Sequence, residues 1–366
     1  MRQFLFLIYK VFISNFSNKI NPYKFTFALT YNCNSKCKTC NIWKKHSTNE
    51  LNIKEIKKLF IKYNQFSLID LTGGEIFLRK DLLEITKIIL NKNKNLYALH
   101  FPTNGLMPDI IYEKTKEILK QKPNKLVISI SLDGDENTHD FIRGIKGNYK
   151  RVIKLYKLLS TIKNKRLSFY FGYTISKYNE DNFEKMFNLI KKEISNLKYN
   201  DFHINIAHTS EIFYNNKEKN IFSSKIINFV KIYLKKRKKS FSAFNFIENI
   251  YLKLIKKYLI TKKTPIKCKS LITSCFIDPY GGVFPCTIMN KKIGGLRENN
   301  YDLKTILSSE KSNKIKTYIN ENKCPQCWTP CEAYQSIMSG FFKIRINQNE
   351  RKNICNYTYI KRRKKH

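Results

Sequence analysis

Three cysteines near the start of the chain, Cys33, Cys37 and Cys40, constrain it more than any other feature. They are spaced Cys-x3-Cys-x2-Cys within the stretch Leu29-Thr30-Tyr31-Asn32-Cys33-Asn34-Ser35-Lys36-Cys37-Lys38-Thr39-Cys40. Three thiolates so close together can wrap one metal centre and leave a coordination position open. A structural zinc site takes four protein ligands, and no fourth Cys or His follows at short spacing, His46 being the nearest. A four-iron cluster on three cysteines leaves one iron free for another ligand. The competing reading is three unrelated core cysteines, since free Cys is often buried.

The chain has 366 residues and ten cysteines, three at 33–40 and seven at 268–355. Two separated groups fit two metal-binding regions better than a disulfide framework. Reduced thiols imply a reducing compartment, so the cytoplasm is expected. The length and the 42% hydrophobic content allow two domains with ample cores. Lys and Arg outnumber Asp and Glu 69 to 28, a formal net charge of +41. Such a charge points to nucleic acid or an anionic membrane surface. It is also what drift toward Lys, Asn, Ile, Phe and Tyr produces, and drift is the main explanation adopted here.

Residues 1–16, MRQFLFLIYKVFISNF, are apolar but interrupted by Lys10 and too short to span a bilayer. They lack a small-residue cleavage site, which argues against a signal peptide. They read as a helix packed on the domain, with a membrane-surface helix as the second reading. Strand-like runs then follow at Lys24–Tyr31, Phe66–Leu71, Leu96–Pro102, Leu126–Leu132, Leu167–Thr174 and Phe202–Ala207. Their apolar character predicts a sheet with a filled interior. Between them, Ile53/Ile56/Leu59/Tyr63, Leu82/Ile85/Ile89, Val152/Leu155/Leu159/Ile162 and Phe183/Phe187/Ile190/Ile194 keep a helical period. Asn52 with Glu55, Asp81 with Glu84 and Asp181 with Glu184 have capping-box spacing. The alternation predicts an α/β fold with a parallel sheet. In a barrel of this kind, chemistry gathers at the C-terminal ends of the strands.

The cysteine loop follows the first strand, and Thr72-Gly73-Gly74-Glu75 follows the second, about 33 residues beyond Cys40. Thr103-Asn104-Gly105 follows the third strand. The fourth ends Ile128-Ser129-Ile130-Ser131-Leu132-Asp133-Gly134, with His139-Asp140 and Arg143-Gly144 beyond. Each is a turn in isolation. Together they resemble the radical S-adenosylmethionine (SAM) enzymes. The resemblance implies a partial (β/α)6 TIM-like barrel and a [4Fe-4S] cluster on Cys33, Cys37 and Cys40 that binds SAM at its open iron. It further implies reductive cleavage of SAM to a 5′-deoxyadenosyl radical, hydrogen abstraction from a substrate, and an electron donor such as flavodoxin or ferredoxin. By the same resemblance, Gly73, Gly74 and Glu75 meet the SAM amino group, Thr103 and Asn104 lie beside SAM, and Ser131 and Arg143 contact it. A guanidinium suits the SAM carboxylate because it binds bidentately; the plainer reading of Arg143 is a surface salt bridge. His139 reads as structural. Thr39 stands where the family often has an aromatic residue, with Trp43 just downstream, and Ile76 stands where it usually has Pro.

Residues 208–266 read as a helical connector, in which the charge run Lys235-Lys236-Arg237-Lys238-Lys239 is a solvated helix end. Cys275 to Cys286 reads as a hairpin turning at Asp278–Gly282. Around it lie Cys268 and Cys324-Pro325-Gln326-Cys327-Trp328-Thr329-Pro330-Cys331, with Cys355 beyond. Cysteine pairs about a hairpin also suit a zinc ribbon. The region resembles the SPASM or twitch extension, a cysteine-rich α+β unit. The resemblance implies an auxiliary [4Fe-4S] cluster on Cys268 and Cys286 with two of Cys324, Cys327 and Cys331, leaving Cys275 and Cys355 in reserve. The expected domains are 1–23, 24–210, 211–266 and 267–366, the last ending in the basic tail Lys361-Arg362-Arg363-Lys364-Lys365. The substrate implied is a peptide or a small molecule, with nucleic acid not expected. Two alternatives stand beside this reading. A zinc-containing, basic nucleic-acid-binding protein explains the charge but not the ordered strand-end motifs. An RNA-modifying radical SAM enzyme uses both and predicts salt-sensitive RNA binding. No catalytic acid or base is named by these motifs.

Overall fold

A computed structural model describes residues 1–18, 21–217, 222–223, 225–238 and 243–340. Cys355 and the basic tail lie outside the described residues. Six strands run in parallel: β1 (Lys24–Thr30), β2 (Leu68–Gly73), β3 (Ala98–Thr103), β4 (Leu126–Ser131), β5 (Leu167–Ile175) and β6 (Phe202–Ile206). They lie in chain order, each joined to the next through helix, as right-handed crossovers require. All six match the expected strands to within a few residues.

The two faces of this sheet differ in kind. Phe25, Phe27, Ile69, Leu71, Leu99, Phe101, Ile128, Ile130, Phe171 and Ile204 point outward and are fully buried under the helices. Each such side chain contributes roughly 1.5–3 kcal/mol on burial, so this layer supplies most of the fold's stability. The alternate positions point inward and carry Asp70, His100, Ser129, Tyr170 and His203, which are only half-buried on the strands. A doubly wound sheet would be apolar on both faces. The inner face is polar instead: the six strands form a partial barrel whose inward positions carry polar side chains that contact one another.

The helices follow their local signals unevenly. Asn52 and Glu55 form a complete capping box on the helix Ile53–Lys62. The other two expected boxes do not form. Asp81 makes no cap bond and pairs with Arg79 at 2.7 Å. Asp181 lies outside its helix, which starts after Asn182, and pairs with Lys225. In each case a nearby cation outcompetes the backbone. The charge run at 235–238 is likewise only partly solvated. Arg237 is buried and donates to Tyr233, Asn245 and the Phe202 carbonyl, with its guanidinium over the Tyr233 ring.

The C-terminal region is not a detached unit. A strand β7 (Ser274–Ile277) joins the open edge of β1 in parallel, pairing Lys24 with Ser274 and Phe27 with Ile277. From it, β8 (Gly282–Phe284) and β9 (Gly294–Gly295) return antiparallel. The hairpin turns at Asp278–Gly282 as expected: Gly281 has φ +89°, and the Asp278 carboxylate accepts from the Gly282 amide at 2.7 Å. A second fastening is ionic. Arg297 pairs with Glu55 at 2.6 Å, and Tyr301 donates to the same carboxylate at 2.8 Å. These bonds hold Glu55 down to about 2 from the usual carboxylate range. Arg297→Ala is expected to cost about 1–3 kcal/mol in urea unfolding at pH 7. A depressed carboxylate contributes stability above its unfolded pKa and loses it as pH falls through its folded value. The gap between wild type and variant should therefore close between about pH 4.5 and pH 2.

Candidate active site

The cysteine loop leaves β1 and passes directly over the end of β2. The Gly74 amide donates to Thr30 O at 2.7 Å and the Glu75 amide to Asn32 O at 2.9 Å. A Cβ on Gly73 or Gly74 would sit 2.1 Å from the carbonyl oxygens of Thr30 and Asn32 respectively. Gly73 also has φ +122°, where side chains are strained. The paired glycines thus admit the loop's own backbone. On its other side the loop is pinned to the end of the helix Glu136–Arg143, with Lys36 and Lys38 donating to the carbonyls of Arg143 and Ile142. Gly144 caps that helix in the left-handed region, 2.4 Å from Lys36 O by its would-be Cβ. Three strand ends therefore position three thiols.

The strand-end residues converge on this loop. Glu75 is buried; it accepts from Thr103 Oγ1 at 2.9 Å and from the amides of Asn104 and Phe77 at 2.8 and 3.2 Å. Burial pushes its carboxyl up to about 7 against those bonds. Asn104 donates to Asn34 at 2.8 Å and lies 4.0 Å from Cys33 Sγ. Ser131 ends β4, half-buried. Arg143 is no surface residue. It pairs with buried Asp133 at 2.6 Å, lies 3.7 Å from Cys37 Sγ, and keeps a buried Nε without a partner. The Asp133 and Cys37 charges hold the guanidinium protonated despite burial. His139 accepts the Asp133 amide at 3.0 Å and is kept neutral by burial, which is a structural role. Burial raises Cys33 to about 11 and Cys40 to about 12, so these thiols ionise only with a metal to hold them. The Trp43 indole nitrogen is buried without a partner.

Below this rim runs a polar chain that the motifs did not reveal. Lys24 pairs with Asp70 at 2.9 Å; Asp70 meets His100 Nδ1 at 3.2 Å. His100 Nε2 reaches Ser129 at 3.0 Å and the Tyr170 hydroxyl at 3.2 Å. Tyr170 stacks on His203 at 3.5 Å, and His203 on Phe244 of the helix Ala243–Thr261. Lys24 and Asp70 sustain one another's charge: each is shifted toward its ionised form by the other. The strand residues of this polar chain, Lys24 to His203, lie on all six parallel strands at inward positions. The only sequence signal for them was polar residues alternating with apolar ones.

The second cysteine group gathers behind β7. Cys268, Cys286, Cys324 and Cys327 are drawn into one electrostatic neighbourhood: Cys268 feels Cys327 and Cys324, Cys286 feels Cys327 and Cys268, and Cys327 feels Cys324. Burial raises the thiols of Cys268, Cys286 and Cys327, Cys327 to about 12. Gln326, with φ +55°, turns the loop between Cys324 and Cys327, and Trp328 Nε1 anchors it on Tyr251 O at 3.1 Å. Cys331 faces elsewhere. It starts the helix Pro330–Gly340, the charges weighing most on it are Lys24, Asp70 and Glu332, and its carbonyl accepts from Lys24 at 2.8 Å. Cys275 is a fully buried core residue beside Phe25 in the sheet. Tyr214 lies between the two groups: its hydroxyl is raised by burial and then by Cys331, Cys40 and Cys327. Among the described residues no three Cys, His, Asp or Glu side chains close on a single-ion site.

Residues 27–190 match the radical SAM superfamily and residues 268–332 match an iron–sulfur cluster-binding domain, SPASM. The chain belongs to the radical SAM superfamily. It is 24% identical over 358 residues to the antilisterial bacteriocin subtilosin biosynthesis protein AlbA of Bacillus subtilis, covering 92% of this chain and 71% of AlbA. The sporulation killing factor maturation protein SkfB of the same organism is 32% identical over 38% of this chain and 33% of its own. Among solved structures, Streptococcus suis SuiB bound to S-adenosylmethionine superposes with a TM-score of 0.58 at 16% identity, over 81% of this chain and 68% of SuiB. The structure of anSMEcpe with bound S-adenosylmethionine gives 0.58 at 14% identity, over 90% and 100%.

The radical SAM and SPASM domains imply SAM and iron–sulfur clusters, an auxiliary cluster among them. The residues present fit both. The donor sets are thiols, a four-iron cube spans a wider ring of ligands than one ion does, and Arg143 and Trp43 bring unpartnered buried donors to the first loop. Gly74→Ala is expected to displace the loop, lowering iron content while far-ultraviolet circular dichroism stays native. A ligand that presents a cationic group to Glu75 should lose affinity in equilibrium dialysis as pH drops through about 7, because the carboxyl pairs with it only when ionised.

Proposed function

We propose that this enzyme modifies a peptide, using SAM at a [4Fe-4S] cluster on Cys33, Cys37 and Cys40 and an auxiliary [4Fe-4S] cluster on Cys268, Cys286, Cys324 and Cys327. The observation that carries the reading is the pairing of β7 with β1, which sets the second cysteine group against the barrel that presents the first. Cluster and SAM together supply a carbon-centred radical after one-electron reduction. This chain's own residues do the rest. Glu75 takes the amino group of SAM, and Arg143, fixed by Asp133, steadies the Cys37 thiolate and offers its remaining donor to the carboxylate. Ser131 and Asn104 border the same rim. Cys331 is left out of this set because the charges weighing most on its thiol are Lys24, Asp70 and Glu332 rather than the other cysteines.

A peptide is favoured over a small molecule by three supports. The inner face of the sheet is polar, carrying Asp70, His100, Ser129, Tyr170 and His203 on successive strands. AlbA and SkfB are named for bacteriocin biosynthesis and killing-factor maturation. SuiB has been solved with its precursor peptide SuiA, in the fold shared here. The polar chain Lys24–Asp70–His100 would orient the substrate. Membership in a radical SAM family replaces the zinc, nucleic-acid reading.

Anaerobic reconstitution should give roughly eight irons per chain from two four-iron clusters. 5′-Deoxyadenosine should form under strong reductant and vanish in Cys37→Ala, while Cys286→Ala should keep only about half the iron. Retention of full iron in that variant would remove the auxiliary assignment. Deuterated cell extract, split into peptide and small-molecule fractions, tests the substrate. Deuterium appearing in 5′-deoxyadenosine from the peptide fraction supports the proposal, and from the small-molecule fraction alone replaces it.

A further inference from the structure

The end of the barrel away from the cysteine loop carries a surface that the chemistry does not use. The helix Arg2–Phe16 lies there. Its inner side is anchored by Ser14 to Ser339 at 2.7 Å, by Asn15 to the Met338 carbonyl at 3.2 Å, and by Phe4 against Tyr97 just before β3. The expected packing on the domain is therefore present. Its outer side is not covered by the described residues: Met1 is 93% exposed, Leu5 56%, Ile8 47% and Tyr9 56%. These positions follow a helical period, so they form one apolar stripe. No acidic residue occurs in the first 49 positions of the chain.

The loops beside this helix are basic. Because β3, β4 and β5 are parallel, the loops entering them share one end of the barrel. They are bonded in series: Asn124 donates to Tyr97 O at 3.1 Å, Lys125 to Lys165 O at 3.1 Å, and Arg166 to Pro123 O at 2.9 Å. They carry Lys92, Lys94, Lys122, Lys163 and Lys165, all exposed, and none has a salt-bridge partner among the described residues. Residues 91–97, 121–125 and 162–166 contain no Asp or Glu.

We propose that this end of the barrel docks on an anionic lipid bilayer, with the helix Arg2–Phe16 lying in the headgroup plane and the loop lysines against the lipid phosphates. The stripe supplies apolar burial and the lysines supply attraction to negative headgroups, the two requirements of an interfacial helix. No described helix is long and apolar enough to cross a membrane, so attachment is peripheral. The strand ends that bear Cys33, Cys37 and Cys40 then face away from the bilayer and remain open. The charge complementarity singles out lipid: a second copy of this chain would bring the same lysines together.

The test is sedimentation of the purified full chain with vesicles of phosphatidylcholine alone or mixed with phosphatidylglycerol. Binding is expected to the mixed vesicles, to weaken with added salt, and to fall about tenfold or more in Leu5→Glu/Ile8→Glu. Lys92→Glu/Lys94→Glu should lower binding to mixed vesicles alone. Unchanged thermal melting would show that both variants fold. Equal sedimentation with both vesicle types, or no effect of Leu5→Glu/Ile8→Glu, overturns the proposal. So does a dimer in solution that this variant dissolves, or RNA binding of equal strength and equal indifference to the stripe.

Discussion

Everything at the site depends on how closely two backbones approach. The loop that carries Cys33, Cys37 and Cys40 runs across the end of β2 with no room for a side chain beneath it, and two amide bonds from Gly74 and Glu75 hold it there. This contact fixes the thiols relative to the sheet, and the sheet fixes Thr103, Asn104 and Ser131 relative to the thiols. Glu75 is caught in the same contact. Its backbone holds the loop and its carboxylate spans to β3, so one residue couples the loop's position to the end of β3.

The second dependence is on β1, which is buried along its whole length. Among the described strands it alone borders both the barrel and the C-terminal hairpin. Lys24 at its start is the point of contact between them: its ammonium reaches Asp70 inside the barrel and the carbonyl of Cys331 at the head of the last described helix. A buried lysine so placed is costly unless both partners are present, since removal of one partner from a buried pair costs about 3–5 kcal/mol. Lys24 thus makes the barrel's interior polarity and the seating of the cysteine-rich segment interdependent. Tyr214, under the influence of cysteines from both groups, sits at the same junction.

The charge of the chain is distributed with some order. Many lysines form single pairs with acidic neighbours on the helices, as solvated faces usually do. Among the described residues, those entering β3, β4 and β5 do not. Because β3, β4 and β5 are parallel, these lysines gather at one end of the barrel.

The six strands, their order of appearance and the strand-end motifs were legible in the sequence because each is a local pattern: an apolar run, a helical period, or a short spacing of glycines and thiols. Asn52 capped its helix as its spacing implied, for the same reason. What the sequence left undecided were matters of which distant groups meet. Asp81 and Asp181 had the right spacing to cap and found cations instead. Arg237 lay in a run of exposed charges and was drawn inward by Tyr233 and Asn245. Arg143 could be assigned a partner only once Asp133 and Cys37 were brought beside it. Among the C-terminal cysteines, spacing could not say that Cys275 lies buried in the sheet or that the Cys331 backbone carbonyl accepts from Lys24. Local periodicity determined the elements. Tertiary structure alone decided their side-chain partners, because a charge or a thiol settles with whichever group the fold carries within a few ångströms, whatever its distance along the chain.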